Sequence, residues 1–233
     1  DSGVDYTHPE FSGRIVPGYD FSDDDSDPFD SHTGSHGTAC AGIAAAAGNN
    51  GIGMAGVNWG ASIMPIRVAD QNGNFQASHV ADGIYFAVDS GAHVISLSLS
   101  LSQGTTYLEQ AITYAHLSDV LIFAARGNDD DTVDLYPSSY SDVISVGGLS
   151  PCDTRKTYTS CDGEQWGSSY GGGQNKMDFV APSASITTTA IGGYTFNFNG
   201  TSAACPFAAG LGALIRSYNP SLNVDQIRTI MRE

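Results

Sequence analysis

Three short segments carry residue types that together could transfer an acyl group. Asp1-Ser2-Gly3-Val4 offers a carboxylate, His36-Gly37-Thr38-Ala39-Cys40-Ala41-Gly42 an imidazole, and Gly200-Thr201-Ser202-Ala203-Ala204-Cys205-Pro206 a hydroxyl. A hydroxyl needs a base to take its proton, and the base needs a carboxylate to orient it. Each segment alone is a weak signal, because an aspartate in a turn or a serine opening a helix is usually structural. The combination is specific: one group of each kind, in the order Asp, His, Ser, with Gly-Thr beside both the histidine and the serine.

These groups need a scaffold. Ile63–Val68, His93–Leu99, Val120–Ala125, Val143–Val146 and Asp178–Ala181 read as strands, and their nearly continuous apolar character suits a sheet covered on both faces. Helical stretches are expected at Ala77–Ser90, Tyr107–His116, Ala203–Tyr218 and Val224–Met231, with Asn223 as the N-cap of the last. An alanine-rich helix should open at His36. Alternating strands and helices argue an α/β, three-layer architecture: a largely parallel central sheet with helices on both faces and the site at the carboxyl ends of its strands.

Other motifs fail on context. Gly167-Ser168-Ser169-Tyr170-Gly171 matches G-x-S-x-G, but no strand precedes it and glycines 171–173 follow in place of a helix. Gly51-Ile52-Gly53-Met54-Ala55-Gly56 matches a dinucleotide fingerprint but opens no helix. His32 and His36 are four apart without the glutamate of a zinc protease.

With 9 Lys+Arg against 25 Asp+Glu, the net charge of −16 excludes a cationic nucleic-acid face. It leaves open plain solubility, cation binding or attraction of basic substrates. No apolar run reaches the roughly 18–20 residues of a membrane helix, so no membrane partner is expected. Cys152 and Cys161 flank a short polar loop and read as a local disulfide of a secreted, extracellular protein. Asp20, Asp23, Asp24, Asp25 and Asp27 form a dense acidic run that is either a solvated loop or a site for a hard cation such as Ca²⁺.

The chain resembles the subtilisin-like serine proteases, the subtilases. The likeness runs through Asp1–Glu10, Gly34–Gly42, Asn49–Val57, Val94–Leu99, Ala124–Asn128, Tyr136–Val146, Asp178–Pro182 and Asn199–Gly210, essentially the whole chain. The resemblance implies a serine endopeptidase working through an acyl-enzyme. Ser202 would be the nucleophile, His36 the general base and then acid, and Asp1 the group that holds the imidazole tautomer. Asn128, which alone reads as a cap or turn residue, matches the oxyanion-hole asparagine, with the Ser202 N–H as second donor. Ser98, Leu99, Ser100, Ala125 and Gly127 match the walls of the substrate cleft. The acidic run resembles a thermitase-like calcium loop with ligands at Asp20, Asp23, Asp25 and, through its carbonyl, Asp27. A second calcium loop matches Gly48, Asn50, Ile52 and Met54, with Glu10 where an aspartate is usual.

The sequence also departs from the family pattern. The segment that normally precedes the catalytic aspartate, with a central strand, has no counterpart in residues 1–233, which otherwise read as one peptidase domain. Ala203 stands where methionine is common, and Cys205 and Phe207 replace a small hydroxyl residue and a histidine. Cys40 and Cys205 come from converging helix starts, so a bond between them and two buried thiols both stay open. Serine replaces a common glycine in Ser98–Ser100, which would narrow the primary pocket. Asp129–Asp131 would favour basic substrates and Arg126 opposes that, leaving a broad apolar preference as the expectation. Partners are protein or peptide substrates of a monomer, with a propeptide or an inhibitor as further candidates. A narrow-specificity processing protease and an inactive scaffold used for binding are the alternatives.

Overall fold

The strand Leu121–Ala125 shows how this chain builds its core. Ile122 and Ala124 point into one apolar cluster while Leu121, Phe123 and Ala125 point into another, so the strand is buried on both faces. Such a strand cannot alternate polar with apolar residues. In the computed structural model, which describes residues 1–171 and 177–232, it is the second strand of a four-stranded parallel sheet.

In chain order the elements are a 3-10 turn at Pro9–Phe11, β1 (Tyr19–Asp20), α1 (His36–Ala45), β2 (Ile66–Arg67), α2 (Ala77–Asp89), β3 (Val94–Leu97) and α3 (Thr106–Leu117). There follow β4 (Leu121–Ala125), β5 (Ile144–Leu149), β6 (Phe179–Pro182), β7 (Ile186–Ala190), β8 (Gly193–Phe198), α4 (Thr201–Tyr218) and α5 (Val224–Ile230). The main sheet runs β3-β4-β5-β6, with Val94 beside Leu121, Phe123 beside Ile144 and Val146 beside Phe179. Val80, Ile84, Leu108 and Ile112 of α2 and α3 cover one face; Ala204, Ala208 and Ile227 of α4 and α5 cover the other. This is the expected three-layer α/β arrangement. No described helix is long and apolar enough to cross a membrane.

Differences from the sequence reading have local causes. The strand expected over Ile63–Val68 pairs as β2 only at Ile66–Arg67, with one isolated bridge at Ile63. Pro65 between them has no N–H to donate. The strand expected at Val143–Val146 begins at Ile144 and runs on to Leu149, through two glycines that strand propensity disfavours. An added side chain at Gly147 would strike the Met177 sulfur, so β5 needs its bare backbone there. The β7–β8 hairpin was not foreseen: its threonines are polar, and it packs on α1 by hydroxyls, Thr188 Oγ1 on Ala39 O and Thr189 Oγ1 on Thr38 O, both at 2.7 Å. Helix α4 starts at Thr201, two residues earlier than expected, which puts Ser202 in its first turn. Glycines 172 and 173, which argued against the G-x-S-x-G motif, lie outside the described residues.

Between the edges of β2 and β3 lies a cavity of about 1040 Å³ lined by Val4, Ile66, Val68, Ile84 and Ile95. Asp1 borders it and is tied to the β2 edge, its N donating to Ile66 O at 3.2 Å and its O accepting from Val68 N at 2.9 Å.

Candidate active site

Asp1 enters the site from that β2 edge, and His36 enters as the first residue of α1. The His36 Nδ1–H lies 2.8 Å from Asp1 Oδ1, which also accepts from the Ser2 N–H at 2.7 Å. Asp1 Oδ2 is buried without a partner among the described residues. The approach of the two segments depends on a glycine: a Cβ at Gly37 would lie 2.1 Å from Gly3 O. His36 titrates above the ordinary histidine value. Burial of the ring pushes it down, but the adjacent Cys40 sulfur and the Asp30 carboxylate outweigh this and favour the cation.

Ser202 sits in the first turn of α4, after Gly200 at φ +99°, a conformation that suits only glycine. Pro206 lies one turn further on and has no N–H for the Ser202 carbonyl, which α4 therefore leaves unpaired. Two side chains fill the vacancy, Ser98 Oγ at 2.9 Å and the Cys40 Sγ at 3.5 Å. Cys40 Sγ is also 3.9 Å from His36 Nδ1, so one thiol touches the segments of both His36 and Ser202. The Ser202 hydroxyl points to Ser98 O at 3.5 Å and makes no bond with the imidazole.

Asn128, just beyond the end of β4, has its side chain oriented by Thr201. Its Oδ1 accepts from Thr201 N at 2.8 Å and from Thr201 Oγ1 at 3.0 Å, while Gly127 N donates to the same hydroxyl at 3.1 Å. With the oxygen so engaged, Nδ2 is the free end, beside Gly200. Nothing in the local sequence singled out Thr201 for this task.

The structure therefore brings Asp1, His36, Ser202 and Asn128 to one place, where β2, β4, α1 and α4 meet. A family description for the subtilases matches residues 1–233. The chain belongs to the subtilase family. It is 42% identical to a thermophilic serine proteinase of Bacillus sp. (strain AK1), an alignment spanning 93% of this chain and 51% of that protein. It is 39% identical to thermitase of Thermoactinomyces vulgaris over 95% of this chain and 74% of thermitase. The chain thus spans about half the length of the first relative. The whole of it superposes on 78% of a cold adapted subtilisin-like serine proteinase, with a TM-score of 0.86 and 30% identity.

The other expected site residues are distributed unevenly in this subtilase. Of the cleft set, Leu99 and Ala125 are buried in the core clusters and Ser98 Oγ donates to Ser202 O. Ser100 is exposed, and Gly127 stands at φ +110° beside Asn128. Cys40 and Cys205 are separate buried thiols. Burial pushes the Cys205 thiol up to about 12, which makes it inert. Cys152 and Cys161 are bonded.

The expected metal ligands divide by burial. Asp20 is fully buried, and its oxygens are held by Ser22 N, Asp23 N and Arg67 Nη1, the last at 2.6 Å. Arg67 also reaches Asp23 at 2.8 Å. Asp23, Asp25 and Asp27 each keep one carboxylate oxygen outside any hydrogen bond with the described residues. No three carboxylates of this loop bring ligand atoms within 4.8 Å of one another.

The second loop is built differently from the expectation. Glu10 is fully buried and accepts from Asn50 Nδ2 at 2.7 Å, Met54 N at 3.2 Å and Tyr194 OH at 2.9 Å. Asn50 Oδ1 in turn accepts from Ile52 N at 3.2 Å. Met54 thus presents an N–H to the carboxylate. The Gly48 Cα packs against the Trp59 ring. In this arrangement both Glu10 carboxylate oxygens and Asn50 Oδ1 accept hydrogen bonds from the loop and from Tyr194.

Proposed function

We propose that this subtilase is a secreted serine endopeptidase that cleaves peptide bonds through an acyl-enzyme on Ser202. The observation that carries this reading is the Asp1–His36 bond at 2.8 Å, with the Thr201-oriented Asn128 beside the same serine. His36 takes the Ser202 proton as the hydroxyl attacks the scissile carbonyl, then returns it to the leaving amine. Asp1 stabilises the imidazolium in between. The Asn128 Nδ2–H and the Ser202 N–H are the donors for the developing oxyanion. For this the Ser202 hydroxyl must turn from Ser98 O to the imidazole, a rearrangement within the range of unliganded sites.

Secretion is supported by the Cys152–Cys161 disulfide, a bond that persists in oxidising compartments. For calcium, the oxygen-only donors Asp23, Asp25 and Asp27 fit a hard cation, whereas Asp20 serves as the buried organiser of their loop. Such an ion would neutralise the loop and hold it closed; it takes no part in hydrolysis. Substrates would be proteins or peptides, and a monomer needs no partner residue at this site.

The test is the intact mass of the protein after exposure to a serine-directed fluorophosphonate, with Ser202→Ala as control. A single adduct that the control lacks is expected. A folded protein that takes up no label would refute the reading and favour a binding scaffold. Peptide-library cleavage would then separate broad from narrow specificity.

A further inference from the structure

Asp30 is a charge without an obvious purpose. It is fully buried, and no lysine or arginine pairs with it among the described residues. An unpaired buried carboxylate is costly unless donors surround it. Four do. Oδ1 accepts from Ser2 Oγ at 3.0 Å and His32 N at 3.2 Å; Oδ2 accepts from Thr38 N at 2.9 Å and Thr38 Oγ1 at 2.7 Å.

The choice of partners is informative. Ser2 follows Asp1, and Thr38 lies two residues after His36. Ser2 Oγ, while donating to Asp30, accepts from Gly37 N at 2.9 Å, so the same hydroxyl reaches the residue next to the histidine. Thr38 Oγ1 also accepts from Asp5 N at 2.9 Å, which binds the turn after Asp1 into the same cluster. Ser2 beside Asp1 and Gly37 beside His36 are thus held by one carboxylate, the first directly and the second through Ser2.

We propose that Asp30 is a positioning residue for the Asp1–His36 pair, clamping the two segments in register and placing a second buried negative charge behind the imidazole. The charged and titratable side chains around His36 are Asp1, Cys40 and Asp30; from β8 the uncharged Phe198 ring approaches, at 5.3 Å. Cys40 and Asp30 favour the imidazolium. The role rests on His36 being the base of the proposed reaction.

The experiment compares the full protein with Asp30→Asn, which keeps the shape and removes the charge, and with Ser2→Ala, which keeps the charge and cuts the link to Gly37. For Asp30→Asn the expected result is a kcat roughly 10- to 100-fold lower with KM unchanged, and an acid limb of kcat/KM moved to lower pH. For Ser2→Ala it is a lower kcat with the acid limb in place. An unmoved acid limb in folded Asp30→Asn would show a structural acid only and overturn the proposal. So would an unchanged kcat in Ser2→Ala, which decides the matter if Asp30→Asn fails to fold. The His36 ring-proton titration, followed by NMR in a Ser202→Ala background, needs no turnover. It should move to lower pH on Asp30→Asn even if hydrolysis itself is never seen, so the two readings fail separately.

Discussion

Replacing Glu10 by glutamine tests whether the loop after α1 is held by hydrogen bonds or by a cation. The substitution keeps the shape of a fully buried side chain and turns one acceptor oxygen into an NH₂ group. If that group faces Asn50, the 2.7 Å bond from Asn50 Nδ2 is lost and two donors meet; if it faces the other way, the Met54 N–H loses its acceptor. Tyr194 OH is the one partner that can rotate to accept. The smallest change therefore removes one charge-assisted bond, worth about 1.5–3 kcal/mol. For a chain of this length each kcal/mol shifts the melting temperature by roughly 2–4 °C, so a fall of about 3–12 °C is expected. The assay is calorimetry in the Ser202→Ala background, which prevents self-digestion, with and without a chelator. An unchanged melting temperature would refute the reasoning. So would a chelator that lowers Glu10 protein to the value of Glu10→Gln and leaves the variant unaffected, since a cation would then be what Glu10 holds.

Three further outcomes follow from the same geometry. His36 must be neutral to act as base, and its folded-state pKa is raised, so the acid limb of kcat/KM should centre above the ordinary histidine value of about 6.5. The same shift contributes stability below pH ~6.5 that is lost as pH rises through the folded value; urea melts across this window should show a slope that His36→Gln flattens. In the disulfide loop, the buried Lys156 ammonium is held by Thr157 O, Glu164 O, Trp166 O and, at 3.2 Å, Asp162. Lys156→Met should cost about 3–5 kcal/mol, more than the roughly 2–3 kcal/mol from removing both Cys152 and Cys161; the reverse order in urea melts would make the disulfide the main fastening. Finally, Asp23→Asn with Asp25→Asn should abolish any rise of melting temperature with added calcium, and Asn50→Ala should leave that rise intact.

What could be read from the amino-acid sequence was what a few residues decide locally. The run VLIFAA at 120–125 shows a strand buried on both faces, and Gly-Thr beside a histidine and a serine marks two helix starts where a reactive group faces outward. Pro206 leaves the Ser202 carbonyl without its helical partner, and which side chains fill the place, Ser98 and Cys40, depends on how β3 and α1 meet α4. The acids show the limit most clearly. Composition counts all 25 alike, and spacing suggested a single cation-binding run. Burial separates them instead. Asp5, Glu10, Asp20 and Asp30 are buried, and each is surrounded by at least three donors, at least one of them from a residue far off in the chain. Of these four only Asp20 meets a guanidinium. The others keep a negative charge inside the protein by hydrogen bonds, and all three do so around the same region, where residues 1–10 meet α1 and the β7–β8 hairpin. Of the three, only the Asp30 carboxylate binds residues flanking both Asp1 and His36, so Asp30→Asn should be felt in catalysis, whereas Glu10→Gln should be felt in the fold.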